Sequence, residues 1–265
     1  MAERAVHAFD GVAGRYDADF SRQQLGRWLR AAVWRVLGDA VAPGQQALDL
    51  GCGTGEDALW LAGRGVQVTA LDASAGMLAV AREKAQSAAL MDRISFAQAD
   101  LNELPAAHLP EGGFDGAYAD FGPLNCVADR PALGAELARL IRPGGRLVAV
   151  VMGPLCPWEV AWYIAHGHPR TAARRLRRRV RSRVGGGEIT VDYPSPRRLR
   201  AEFAPGFQQI ALVGLGTLLP PSDLGHLVGH APRLFAALNG ADERLRSRFP
   251  FTWLNDHYVA VFERR

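Results

Sequence analysis

One lysine, Lys84, stands among 31 basic residues, so arginine serves as the chain's general-purpose cation. Cysteine is nearly as scarce. Cys52, Cys126 and Cys156 are isolated, with neither the even count of a disulfide framework nor the CxxC spacing of a zinc site, and each reads as a small packing residue. No run approaches the roughly 18 uninterrupted apolar residues that a membrane-spanning helix needs. Residues 1–19 lack the apolar centre of a signal peptide, so a cytoplasmic location is expected. Internal repeats and low-complexity linkers are missing too, and with 48% hydrophobic against 22% charged residues the chain has material for one sizeable core. Acidic charge is thin in the second part: residues 153–265 carry 17 basic and 9 acidic groups, against 14 and 18 in residues 1–152. Such a basic part can attract an anionic acceptor, nucleic acid or an anionic membrane face, or be plain solvated surface.

From Gln46 onward short apolar runs alternate with helical patterns, which predicts a parallel sheet with helices on both faces. Strands are expected at 47–50, 67–71, 94–98, 114–119 and 146–152, with helices at 56–64, 75–89 and 130–141 between them. In the second of these helices Met77, Leu78, Ala81 and Ala85 share a face. Beyond Met152 the alternation breaks. Residues 154–206 read as a cap insertion too polar for a core of its own, mostly helical and Arg-rich as far as Val184, with a short strand at 188–192 and a helix at 195–203. The last two strands are expected at 207–215 and 257–263, separated by apolar helical material. One domain results: a helical segment at 1–45, a core at 46–153, the cap at 154–206 and completion of the sheet at 207–265.

Between the first strand and its helix lies Ala47-Leu48-Asp49-Leu50-Gly51-Cys52-Gly53-Thr54-Gly55. Its GxGxG spacing lets the backbone approach a ligand closely, and the following helix offers free amides. It has neither the GxGxxG of a dinucleotide site nor the GK[ST] of a phosphate loop, which disfavours NAD and ATP. Here the chain resembles the class I S-adenosylmethionine-dependent methyltransferases, particularly the type 11 and ubiquinone/menaquinone methyltransferase-like groups, whose first motif reads much like LDLGCGTG. The resemblance runs from about Phe9 to Val151. It implies an α/β, Rossmann-like three-layer sandwich whose seven-stranded, mostly parallel sheet has an antiparallel last strand and carries a helical cap insertion. It also implies S-adenosyl-L-methionine as cofactor, with Gly51, Gly53 and Gly55 along its methionyl and ribose portions and Asp49 supporting the loop.

Asp72, 21 residues after Gly51, has the reach of an acid that accepts from a ribose diol. By the resemblance Ala73 and Met77 lie near the adenine, although Met77 suits the core equally. Asp100 takes the place of an acid that accepts from the adenine amino group, with Leu101 beside the ring. The segment Phe9-Asp10-Gly11-Val12-Ala13-Gly14-Arg15-Tyr16-Asp17-Ala18-Asp19-Phe20 resembles an FDxxAxxYDxxF pattern whose tyrosine reaches the methionyl carboxylate, which makes Tyr16 a cofactor candidate. Asp10, Asp17 and Asp19 lack the loop of a calcium site, and no metal is expected.

The fourth strand ends in Tyr118-Ala119-Asp120-Phe121-Gly122-Pro123-Leu124-Asn125-Cys126, where ligands gather in this fold, so Asp120 and Phe121 should flank the cofactor. The NPP[YF] signature and a Pro-Cys nucleophile are both missing, which argues against DNA methylation. Methyl transfer needs an acceptor lone pair aligned behind the S–CH3 bond, and a phenol or acid acceptor gains from a nearby base. Asp120, His166 and His168 are the candidate bases; Asn125, Trp158 and Tyr163 are substrate candidates, though ordinary packing accounts for the aromatics as well. His226 and His230 are four apart but lack a third metal ligand. Residues 170–183 hold eight arginines, with Ala173, Leu176, Val180 and Val184 as the apolar stripe of a basic amphipathic helix. The expected function is O- or N-methylation of a small, partly apolar or aromatic acceptor. An RNA methyltransferase using the arginine face and a noncatalytic cofactor-binding module are the alternatives. With no appended RNA-binding module, a nucleic-acid partner is not expected; peripheral membrane contact and oligomeric state stay open.

Overall fold

Alternation within β1 (Gln46–Leu50) accounts for the layers. Ala47 faces one side of the strand and Leu48 and Leu50 the other, and all three are fully buried, as a strand covered on both faces requires. The computed structural model describes residues 8–265. Around β1 lie β2 (Gln67–Asp72), β3 (Ile94–Gln98), β4 (Phe114–Ala119) and β5 (Ile141–Met152), then a separate pair, β6 (Val180–Val184) and β7 (Gly187–Val191), and finally β8 (Phe207–Leu215) and β9 (His257–Arg264). The main sheet has the order β3-β2-β1-β4-β5-β9-β8. Its first five strands pair in parallel, and β9 runs antiparallel between β5 and β8. This is the expected Rossmann-like arrangement.

Helix α1 (Gln24–Ala40) lays Leu25, Leu29, Ala32, Val33 and Leu37 along one stripe against the sheet, beside Ala58, Leu61 and Ala62 of α2 (Glu56–Gly63). Helix α3 (Ala75–Ser87) begins where the Ser74 hydroxyl accepts from the Met77 amide at 3.1 Å, and it buries the four residues expected on its inner face. On the opposite face α4 (Arg130–Leu140), capped by Asp129, contributes Leu133, Leu137 and Leu140. Among the described residues no helix is long and apolar enough to cross a membrane.

The cap differs from its expectation. Helix α5 (Pro157–Ala165) stops at His166, before Gly167 at φ +77°, and is followed by two short turns, Pro169–Ala172 and Arg174–Leu176, and then by the β6–β7 hairpin. Gly185 and Gly186, at φ +53° and +85°, make that hairpin's tight turn. The basic amphipathic helix expected for residues 170–183 is therefore absent. Its stripe is absent as well: Leu176 is 65% exposed, while Arg174 and Arg175 turn inward. Helix α6 (Pro196–Phe203), placed with the cap from sequence, buries Leu199 and Phe203 beside Leu137 and belongs to the sheet's own helical layer. In the last connection α7 (Pro232–Leu245) packs Phe235 on the α1 face.

Candidate active site

At the carboxyl ends of β1, β2 and β4 the chain leaves the sheet in three turns that converge. The amides of Gly51 and Cys52 donate to the Leu71 carbonyl, each at 2.8 Å, which fastens the glycine loop to β2. A Cβ on Gly51 would lie 2.6 Å from the Pro123 ring and one on Gly55 2.9 Å from Ala81, so these two positions serve close packing. Gly53 is different. It sits at φ +52° with nothing within 4 Å of where a side chain would begin, so its bare backbone faces open space. Asp72 marks the edge of that space, its Oδ2 accepting from the Gly53 amide and its Oδ1 from the Ser74 amide, both at 2.8 Å. Burial raises the Asp72 pKa, and these amides counter part of the rise.

Residues 8–22 lie across this opening on two carboxylate hooks. Asp10 accepts from the Ser74 hydroxyl at 2.5 Å and from the Gly76 amide at 2.9 Å. Asp17 accepts from the Thr54 hydroxyl at 2.6 Å and from Lys84 at 2.8 Å, and Lys84 also pairs with Glu56. Burial alone would raise the Asp17 pKa, but the bonds from Lys84 and Thr54 prevail and lower it. Between the hooks Val12 and Ala13 cover Met77, which is 2% exposed and belongs to the core beneath the segment. A π-helical turn, Asp17–Ser21, then carries Phe20 to Phe121, with ring centres 5.2 Å apart. Tyr16 lies in the field of Arg30, Asp57, Asp72 and Asp17, and burial raises its phenol pKa.

Beneath this segment the buried charges do not balance. Arg30 binds Asp57 at 2.5 Å, and the Trp34 indole donates to the same carboxylate at 2.7 Å. Asp120 has no such partner, both its oxygens being buried without a hydrogen bond, while Asp49 has only the equally buried Tyr118 hydroxyl beside it and no cation in contact. Burial, reinforced by the negative charge of Asp57, lifts both acids well above the usual carboxylate range. Three carboxyl groups share one guanidinium, so a bound cation would favour the ionised form of the two whose pKa is raised. Phe121, at φ +57°, closes one wall with its ring 5.3 Å from the Arg30 guanidinium.

These residues fit S-adenosylmethionine. The orphaned Asp120 suits a cationic group of the cofactor, Asp72 suits a diol, and the bare face of Gly53 accepts a ligand where a Cβ would intrude. Asp100 spends Oδ1 on the Asn102 amide and side chain, and it lines a cleft of about 180 Å³ with Gln98, Ala99 and Glu103. The Ala73 carbonyl accepts from Gln98 at the same end, and Leu101 packs on the core.

A family model described as a methyltransferase domain matches residues 47–145. A demethylmenaquinone methyltransferase of Clavibacter sepedonicus is 38% identical over 143 residues, 53% of this chain and 54% of that one. Methyltransferase GfsG of Streptomyces halstedii is 40% identical over 119 residues, 43% of this chain and 41% of that one. The chain thus spans about half the length of these curated relatives. Among solved structures, that of the [4+2]-cyclase SpnF superposes with a TM-score of 0.66 at 17% identity, covering 99% of this chain and 96% of its own. Residues 47–145 thus resemble a methyltransferase domain, set in a chain whose fold is shared by S-adenosylmethionine-dependent methyltransferases.

Several residues expected from sequence at a substrate site lie elsewhere. Asn125 is 1% exposed; its side-chain amide binds the Met152 backbone and the Asp192 carbonyl, bolting the turn after β4 to the end of β5 and to the residue after β7, which leaves it no free donor for a substrate. His166 is exposed, stacks on Trp162 and binds that residue's carbonyl at its own helix end, and His168 is exposed as well. Neither histidine is brought to the end of β4. Trp158 packs on Phe235, with ring centres 6.0 Å apart, and the Tyr163 hydroxyl reaches Asp223 at 3.4 Å. The histidine that does reach the site is His257, the first residue of β9, whose ring centre lies 5.5 Å from that of Phe121. The sequence pattern marks it only as the start of a strand; the acid directly before it, Asp256, was the available signal.

Proposed function

We propose that this chain transfers the methyl group of S-adenosylmethionine to a small, partly apolar or aromatic acceptor at oxygen or nitrogen. The observation that carries the reading is the open backbone of Gly53 beside Asp72, set against the unpaired Asp120 and, deeper, Asp49 with no cation in contact. When bound, the cofactor supplies an electrophilic methyl on a sulfonium sulfur. The chain's own residues hold and orient it: Asp72 from the lip of the loop, Asp49 and Asp120 through charge, and residues 8–22 by excluding water. Demethylmenaquinone, in the name of the Clavibacter relative, is a small, partly apolar ring compound, which supports the size and character of the acceptor and not its acceptor atom. RNA is a weaker reading, because two of the eight arginines in 170–183 are consumed inside the protein. Since a cyclase shares the fold, fold alone does not choose the reaction.

Calorimetric titration with S-adenosylmethionine tests the site. Gly53→Asn keeps a residue type that tolerates a left-handed backbone while filling the open space, and should weaken binding about 100-fold, ~2.7 kcal/mol. Asp72→Ala should lose at least as much. Unchanged affinity in both folded variants would sink the proposal. Methyl transfer from labelled cofactor to a metabolite extract, compared with total RNA, tests the acceptor class.

A further inference from the structure

A buried chain of charges, its members far apart in sequence, ends at His257. Arg174 Nε donates to Glu159 Oε1 at 2.8 Å, and Arg175 Nε donates to Glu159 Oε2 at 2.8 Å. Arg175 then binds the Asp256 carboxylate through Nη2 at 2.6 Å and its carbonyl through Nη1 at 2.9 Å. The remaining carboxylate oxygen of Asp256 lies 3.0 Å from His257 Nδ1. Glu159, Arg175, Asp256 and His257 are all at most 5% exposed. A histidine needed only as filling would not require two arginines and two acids to aim it, and such pairs seldom exceed a hydrophobic substitute in stability. His257 Nε2 has no hydrogen-bond partner among the described residues. The ring meets the edge of Phe121, which follows Asp120 at the end of β4 and is flanked on its other sides by Phe20 and Arg30.

We propose that His257 is the base that takes the proton from a phenolic hydroxyl of the acceptor, with Asp256 and Arg175 as its positioning residues. The inference rests on the methyltransferase reading above. Asp256 accepts from Nδ1–H and so fixes the tautomer that leaves the Nε2 lone pair free. As the phenol O–H bond breaks, its proton passes to Nε2 and the oxygen pair forms the new O–CH3 bond. The S–CH3 bond breaks with its electrons going to sulfur, which turns the sulfonium donor into a neutral thioether. The imidazolium formed is held by ionised Asp256. A phenol ionises near pH 10, within reach of an imidazole at the transition state, whereas an aliphatic alcohol does not. Phe20 and Phe121, packed edge to face, make one aromatic side against which a phenol ring can lie. The charged and titratable groups about the ring are Asp256 just before its strand, Arg175 and Glu159 from the cap, Cys156 before α5, and Arg30 and Asp120 beyond Phe121.

The test uses 4-nitro-1-naphthol, whose colour reports its ionisation, added to the full chain saturated with S-adenosylhomocysteine. Wild type should bind the dye as its anion at a pH where the free dye is largely neutral, with nitrogen NMR showing the proton on His257. His257→Gln should bind the anion at least 10-fold more weakly while its affinity for S-adenosylhomocysteine changes less than 2-fold. Asp256→Asn should shift the His257 tautomer toward Nε2–H. Equal dye ionisation by His257→Gln would move the base to Asp120 and overturn the proposal. So would failure of wild type to bind the dye, an unchanged tautomer in Asp256→Asn, or joint loss of dye and cofactor binding in His257→Gln. Failure of wild type to bind S-adenosylhomocysteine would instead strike the methyltransferase reading.

Discussion

Asp120 is the residue on which charge, burial and ligand meet. Burial and the nearby Asp57 raise its pKa in the folded chain, so the protonated acid is the form that folding favours. A carboxyl raised in this way contributes stability that is complete below its unfolded pKa and is lost as pH rises through the folded value. A cationic ligand reverses the preference, because the carboxylate is then the form that binds. Cofactor binding should therefore release up to about one proton, most at pH below the raised value and less as pH climbs past it. Calorimetry in two buffers of different ionisation enthalpy measures this directly. Asp120→Asn should abolish the part of the release due to Asp120, weaken binding, and leave the ligand-free protein at least as heat-stable as wild type at pH 7. A variant that melts lower and releases the same protons would show that Asp120 is paired after all. Asp256 has the opposite sign: burial resists its charge, but His257 and Arg175 hold its pKa far below the usual range. Its contribution is complete above the unfolded pKa and is lost as pH falls through the folded one.

At the level of elements, what was legible followed period and turn chemistry. The alternation from β1 to β5 could be read because strands covered on both faces leave short apolar runs, and α3 could be read because Met77, Leu78, Ala81 and Ala85 repeat at helical spacing. The cap could not be read in this way. Arginines 174 and 175 look like surface charge until Glu159 and Asp256, distant in sequence, are brought against them. The glycines at 185–187 are a hairpin signal, but the helical spacing of Val180 and Val184 masks it. The hooks Asp10 and Asp17 are visible as residues, but their partners Ser74, Gly76, Thr54 and Lys84 become visible once α3 and the glycine loop are in position. A consequence separates the two kinds of cap arginine. Arg175→Leu leaves Glu159 and Asp256 short of a buried partner and should cost ~3–5 kcal/mol in urea unfolding, whereas Arg178→Ala at the surface should stay within about 0.5 kcal/mol. Equal costs would mean that the inner chain of charges does not anchor the cap.

Across the whole molecule the net charge of +4 joins an acidic cofactor half to a basic remainder, and the fold decides how much of that basic charge a partner can meet. Of the eight arginines in residues 170–183, Arg174 and Arg175 are committed internally, and Arg170, Arg177, Arg178, Arg179, Arg181 and Arg183 are exposed. Arg179 donates to the Ala128 carbonyl and Arg181 pairs with Glu188, so Arg170, Arg177, Arg178 and Arg183 are the side chains on which recruitment of a polyanion would lean. Changing those four to Gln removes charge without touching the chain that aims His257. If the acceptor is a small phenol, its turnover should stay within about twofold of wild type and be nearly indifferent to salt, because a neutral acceptor displaces no condensed counterions. An RNA acceptor predicts a different outcome: binding should weaken, and the slope of log affinity against log salt should flatten by roughly 0.7 for each single-strand phosphate that the variant no longer neutralises. We expect the first pattern. Tight, salt-steep RNA binding by wild type, abolished in the fourfold variant together with methylation of that RNA, would move the acceptor from the small-molecule class to nucleic acid.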